Sequence, residues 1–298
     1  MNLVAQVYRA GQALVSGTPK PVAEAMVQVA GRTVSYVPGS RRKLIARNIE
    51  RAVGHPLSPV QKQKMLQQAY VSYGRYWAES LRLPHLSPAE VDAGFSFEGM
   101  EHLYAALEGP VGPILALPHL GGWEWAGFWL TAVRKREVTV VVEALEPPEL
   151  FEWFREFREK LGMHVVPLDA GAATAVTEAL LKRQIVCLLS DRDISGTGVE
   201  VEFFGEQTTL PPGPAMLAIR TGAPVLPVAV YFRGDKCHAV IRPPLTIERR
   251  GRLREDVTRI TQLLAHELET LIRVAPEQWH LMQPNWPSDY DLLGKGAE

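Results

Sequence analysis

From residue 112 onward the chain alternates short apolar runs rich in β-branched residues with longer amphipathic stretches. The runs are GPILALP (112–118), EVTVVVEAL (137–145), HVVPL (164–168), IVCLLS (185–190), PVLPVAVYF (224–232) and CHAVIRP (237–243). Strands that are apolar on both faces need cover on both faces. The stretches between them, such as ELFEWFREFREKLG (149–162), about 173–183 and about 254–275, have the helical period that supplies such cover. The expected fold class is therefore α/β, a central mostly parallel sheet with helices on both faces. Residues 1–92 lack strand runs. Apolar residues recur there at helical spacing in PVAEAMVQVAGRTV and PVQKQKMLQQAYVSYGRYWAESLRL, with Ser58 as N-cap, Pro59 in the first turn and Pro84 as a stop. Nothing between 92 and 93 reads as a linker. A single domain over 1–298 is expected, with a helical part (1–92) and an α/β core (93–298).

Charge and cysteine content narrow the function. A net charge of −1 lacks the basic excess of a nucleic-acid binder. The basic runs RRKLIARNIER (41–51) and ERRGRLR (248–254) are solvated faces or contacts for anionic surfaces. Cys187 and Cys237 make neither a disulfide framework nor a zinc site. MNLVAQVYRAGQALVSG lacks the features of a secretory signal, and no uncharged apolar stretch reaches the roughly 18–20 residues of a membrane span. A membrane role would be peripheral.

In open α/β sheets ligands bind beyond the carboxyl ends of the strands. Three runs end in polar residues: PILAL delivers His119, VTVVV delivers Glu143, and IVCLLS delivers Asp191, followed by Arg192 and Asp193. The helix after the second run adds Arg155 and Arg158. A neutral imidazole accepts a proton near neutral pH, and a carboxylate on its other nitrogen fixes the tautomer and stabilises the imidazolium. Gly121 and Gly122, where strand turns to helix, would let a substrate approach the backbone and its amides. Glu124 is placed either to point back at His119 or to cap the following helix. Trp123, Trp125, Phe128 and Trp129 are core residues by default and candidate walls for an apolar groove. His102, His164, His238, His266 and His280 are scattered, and there is no H-E-x-x-H, G-x-S-x-G or P-loop pattern.

PHLGGWEWAG carries the H-x-x-x-x-[DE] signature of bacterial glycerolipid-type acyltransferases. DRDISGTGVEVEFFGEQTTLPPGPAMLAIRTGAPVLPVAV resembles the second block of the lipid A biosynthesis acyltransferase superfamily, at Asp191, Arg192, Phe203, Phe204, Gly205, Thr209, Gly213, Thr221, Gly222, Ala223 and Pro227. YWAESLRLP, EPPELFEWFREFREKLGM and LLSDRD are similar to the branch of actinobacterial phosphatidylinositol mannoside acyltransferases. The resemblance implies acyl transfer from acyl-CoA to a mannose hydroxyl of a mannosylated phosphoinositide. The setting it implies is peripheral, on the anionic membrane surface at the cytoplasmic face of the plasma membrane, with no metal or redox cofactor. It implies His119 as general base, Glu143 as its relay partner, Glu124 as the acidic member of the motif, and Arg158 at the polar centre. Another glycolipid acceptor, or a non-catalytic lipid-binding protein, are the alternatives.

Overall fold

The computed structural model describes residues 17–143, 148–194 and 196–294. Three helices come first: α1 (Lys20–Val34), α2 (Ser40–Val53) and α3 (Pro59–Arg82). The Ser58 side chain accepts from the Gln61 amide in a capping box, and Pro59 occupies the first turn, as the sequence predicts. The helical path then tightens at Leu83–His85, around Pro84. Helix α1 lies close on α3 because Gly31 has no side chain. A Cβ there would come within 2.8 Å of the Val71 backbone nitrogen.

The core adds α4 (Pro88–Ala93), β1 (Phe95–Glu98), α5 (Met100–Leu107), β2 (Ile114–Leu117), α6 (Trp123–Phe128), β3 (Val138–Val142), α7 (Pro148–Lys160), β4 (Met163–Pro167), α8 (Ala172–Leu181) and β5 (Ile185–Leu189). It continues through β6 (Val199–Phe203), β7 (Glu206–Leu210), α9 (Gly213–Thr221), β8 (Val225–Arg233), β9 (Lys236–Ile241), α10 (Leu253–Arg273) and α11 (Pro287–Leu292). The second predicted run, 137–145, extends to Leu145, but Ala144 and Leu145 lie outside the described residues.

Seven strands form one sheet in the order β1-β9-β8-β2-β5-β3-β4. All neighbours are parallel except β8 and β9. One face packs Val176, Leu180, Leu217, Leu264 and Leu268 from α8, α9 and α10. The other packs Tyr76, Val91, Leu103, Trp129 and Phe157 from α3, α4, α5, the turn after α6, and α7. Each such fully buried large side chain stabilises the fold by about 1.5–3 kcal/mol. The expected class, a mostly parallel sheet covered on both faces with a helical first third, is what the chain forms.

The hairpin of β6 and β7 was not among the sequence expectations. It turns through Phe204 (φ 53°) and Gly205 (φ 75°), the pairing of left-handed residues that suits a two-residue hairpin loop. Glutamates alternate along VEVEF, and the short length kept it below the apolar runs that flagged the other strands. The basic run 41–51 also differs from expectation. Arg51 pairs with Glu206 at 2.8 Å and Asp289 at 2.7 Å, with its guanidinium 3.9 Å above the Trp286 ring. Arg47 donates to the Ser288 carbonyl and Arg42 to the Ser35 carbonyl. Arg51 and Arg47 therefore fasten the helical part to the rest of the protein, Arg42 is held within the helical part, and Arg41 and Lys43 remain exposed.

Candidate active site

Strand order decides which polar strand ends meet. β5 is the neighbour of β2, with Leu117 opposite Leu189, so two residues further on His119 faces Asp191. His119 Nδ1 lies 2.6 Å from Asp191 Oδ1, and the His119 amide donates to Oδ2 at 3.0 Å. The Trp279 indole donates to the same oxygen at 2.8 Å. Asp191 is fully buried. Burial by itself would raise its pKa, but the His119 imidazole and the three donors outweigh it and hold the carboxyl below its ordinary range. An ionised carboxylate accepts from Nδ1–H, which leaves the Nε2 lone pair for the cavity.

This differs from the expected relay. β3 lies beyond β5 from β2, so Glu143 is two strand spacings from His119, roughly 9–10 Å. It lines the cavity, but among the described residues it makes no hydrogen bond to the histidine. Glu124 does not turn back to His119 either. It is buried in the first turn of α6 and paired with Arg158, whose Nε is 3.1 Å from Oε1 and whose Nη2 also contacts that oxygen. The Tyr76 hydroxyl donates to Glu124 Oε1 at 3.4 Å. Arg158 does line the cavity. Arg155 does not reach the site, because its guanidinium bonds Glu152 and Glu159 on the solvated side of α7. Arg192 lines the cavity and donates to Gln283 at 3.1 Å.

The glycines serve packing rather than substrate approach. A Cβ on Gly121 (φ 59°) would sit 1.9 Å from the Val230 carbonyl oxygen, and one on Gly122 2.6 Å from Cys237 Sγ. Both amides are engaged, Gly121 with the Gln278 carbonyl and Gly122 with the Val230 carbonyl, each at 3.0 Å. Their role is to press the loop after β2 against β8, which aims His119. Of the four aromatics after the motif, Trp123 lines the cavity, its ring edge-on to His119 at 5.7 Å and stacked on Tyr76 at 4.2 Å. Trp125 and Trp129 are tied into the core through the Val91 carbonyl and Asp92, and Phe128 packs against the same cluster.

Sequence reasoning missed the segment 278–280. The Gln278 carbonyl takes the Gly121 amide, Leu120 bridges Trp279, and the His280 amide donates to the His119 carbonyl at 2.7 Å. His280 is buried, with Nε2 2.9 Å from the Ser72 hydroxyl of α3. Burial, reinforced by the nearby His119, lowers its pKa to about 3, so its ring is neutral. Trp279 and His280 sit more than 150 residues from the motif with no periodicity around them, and nothing in the sequence ties them to it.

The cavity above this pair has a volume of about 1020 Å³. Aromatic rings of α3, α6 and α7 line one side of it, and aliphatic side chains of α8, α9 and the start of α10 the other. Among the described residues no group of three or more His, Cys, Asp or Glu side chains is placed to hold a metal ion. Nor, among the described residues, is any helix long and apolar enough to cross a membrane.

A buried carboxylate paired with an imidazole that lines a large, mostly apolar cavity can deprotonate a hydroxyl beside a lipid chain. The sequence matches the family described as bacterial lipid A biosynthesis acyltransferase over residues 3–288. This chain belongs to that family. It is 36% identical over 285 residues to a protein of Mycolicibacterium smegmatis named phosphatidylinositol mannoside acyltransferase, covering 95% of this chain and 91% of that one. A protein of the same name from Mycobacterium tuberculosis is 39% identical over 250 residues, or 82% of this chain and 77% of its own length.

Proposed function

We propose that the protein transfers a fatty acyl group, with palmitoyl the expected chain, from acyl-CoA to a mannose hydroxyl of a phosphatidylinositol mannoside. It does so as a peripheral protein at the cytoplasmic face of the plasma membrane. The acceptor is taken from the names of its mycobacterial relatives. The observation that carries the chemistry is the 2.6 Å contact between the buried Asp191 and Nδ1 of His119, which lines the cavity.

A hydroxyl is a weak nucleophile until its proton is removed during attack. His119 Nε2 takes that proton as the oxygen bonds to the thioester carbonyl carbon, and Asp191 partners the imidazolium. The carbonyl electron pair moves onto oxygen and then returns. The C–S bond breaks, and the imidazolium proton goes to the departing thiolate. Glu143, expected from the resemblance as the partner of His119, is assigned instead to the cavity wall. Glu124 and Arg158 hold α6 and α7 together beside the site.

Incubation with labelled palmitoyl-CoA and a panel of mannosylated phosphoinositides, read by mass spectrometry, tests the reading. The product should be an acylated mannoside, reduced about 10²- to 10⁴-fold in a folded His119→Ala variant. Label on a lipid A-type acceptor alone would reassign the acceptor. A protein that binds these lipids and labels none would be a lipid carrier.

A further inference from the structure

The cavity straddles the carboxyl edge of the sheet, and its two sides differ in chemistry. On the α3–α7 side, Tyr73, Tyr76, Trp77, Trp123 and Phe154 line it and touch one another at centroid distances of 4.2–6.3 Å. On the α9–α10 side the wall is Met216, Leu217, Ile219 and Leu253, with the exposed Arg220 and Arg249. Of the other arginines around α10, Arg250 pairs with Glu248, Arg259 with Asp256 and Arg273 with Glu269, and the exposed Arg252 and Arg254 do not line the cavity. Among the described residues neither Arg220 nor Arg249 has an acidic partner. Arg220, in the last turn of α9, is favourably placed against the helix dipole. That accounts for Arg220 alone, since Arg249 lies in irregular chain before α10.

We propose that Arg220 and Arg249 bind the phosphates of the acyl donor's nucleotide, so that acyl-CoA enters at the α9–α10 side and the glycolipid sugar lies against the aromatic side. The inference rests on the acyl-CoA reading above. Both substrates contain phosphate, so the charge pattern must choose between them. The donor carries a pyrophosphate and a phosphomonoester, the acceptor a single phosphodiester. Two unneutralised guanidiniums on one side of the cavity match the ligand of higher charge, because guanidinium forms its strongest hydrogen bonds with phosphate oxygens. Sugar rings in turn present C–H faces, for which the flat, contiguous aromatic wall is the better complement.

Steady-state kinetics of wild type, Arg220→Gln, Arg249→Gln and the double variant, with palmitoyl-CoA and with palmitoyl-pantetheine, decide it. For palmitoyl-CoA, KM should rise about 5-fold per substitution and about 25-fold in the double variant, the worth of about 1 kcal/mol per exposed charge pair. The difference should shrink in high salt. The KM for palmitoyl-pantetheine, the KM for the acceptor, and kcat should stay within about two-fold. Equal KM values for palmitoyl-CoA across the four proteins would overturn the proposal, as would a rise confined to the acceptor KM. Calorimetric titration with free CoA separates the two layers of inference. Wild type that binds CoA more tightly than the double variant but transfers no acyl group would leave the arginine site standing and sink the proposed reaction.

Discussion

Asp191→Asn isolates the proposed catalytic pair with little change of shape. The native carboxylate receives His119 Nδ1–H on Oδ1, and the His119 amide and Trp279 indole on Oδ2. An asparagine has one acceptor oxygen. Two donors converge on the Oδ2 position and one on Oδ1, so the amide oxygen settles at Oδ2 and its NH₂ faces Nδ1. Nδ1 must then accept, the ring proton moves to Nε2, and the nitrogen facing the cavity has no lone pair for the hydroxyl. The expected loss in kcat is therefore that of a missing general base, about 10²- to 10⁴-fold. Stability should change less. The three hydrogen bonds to the carboxylate become neutral, a loss of about 1 kcal/mol each, offset in part because a neutral amide costs less to bury than a carboxylate. The pH dependence has a defined sign. A carboxyl held low in the folded state contributes stability above its unfolded pKa, near 3.9, and loses it as pH falls through the lower folded value. The variant should lack that part of the acid-side decline. Mass-spectrometric turnover and urea melts between pH 3 and 7 (an assay range of about that width) measure both. A folded Asp191→Asn protein within about ten-fold of wild-type kcat would refute the assignment of the dyad.

Glu143→Gln should leave kcat within about five-fold of wild type, since two strand spacings separate it from His119; a loss comparable to that of Asp191→Asn would restore it as the partner. Glu124→Gln leaves the buried Arg158 charge without its counter-ion and should cost about 3–5 kcal/mol in chemical denaturation, so equal midpoints would show that the pair contributes little. Gly121→Ala should reduce soluble yield and activity together, because its Cβ meets the Val230 carbonyl oxygen at 1.9 Å and the residue needs a positive φ; wild-type melting and turnover would contradict the packing role. Reversing Arg41 and Lys43 to glutamate should weaken co-sedimentation with anionic liposomes at low salt, each cation contributing about 1 kcal/mol near such a surface; unchanged binding would assign both to a solvated face.

The fold was legible because each layer leaves a separate mark in the sequence. Buried parallel strands read as unbroken apolar runs, amphipathic stretches supply the cover, and Ser58–Pro59 announces α3. The hairpin around Phe204–Gly205 was not legible, because one exposed face makes VEVEF alternate and leaves it polar on average. The basic run at 41–51 misled for a related reason: net charge on a helix does not say which cations point inward. Arg51 has carboxylates on two distant elements, Glu206 and Asp289, that no local window contains.

The partner of His119 was misassigned for a topological reason. Glu143 is the partner that the resemblance implies, and chain order, which puts β3 directly after β2, fits it. Sheet order inserts β5 between them, and Asp191 takes that place. Three polar strand ends can be recognised from sequence, but a crossover that skips a strand leaves no local trace, so their pairing needs the hydrogen-bonded register. Glu124 and Arg158 make the complementary case. Left alone, either would be an uncompensated charge in a mostly apolar wall, at a cost of several kcal/mol. Together they hold α6 against α7 and leave neither charge free to disturb the pair at His119. The carboxylate nearest the histidine in sequence is thus the one committed to an arginine, while the catalytic assignment passes to the residue that lies next to it in the sheet.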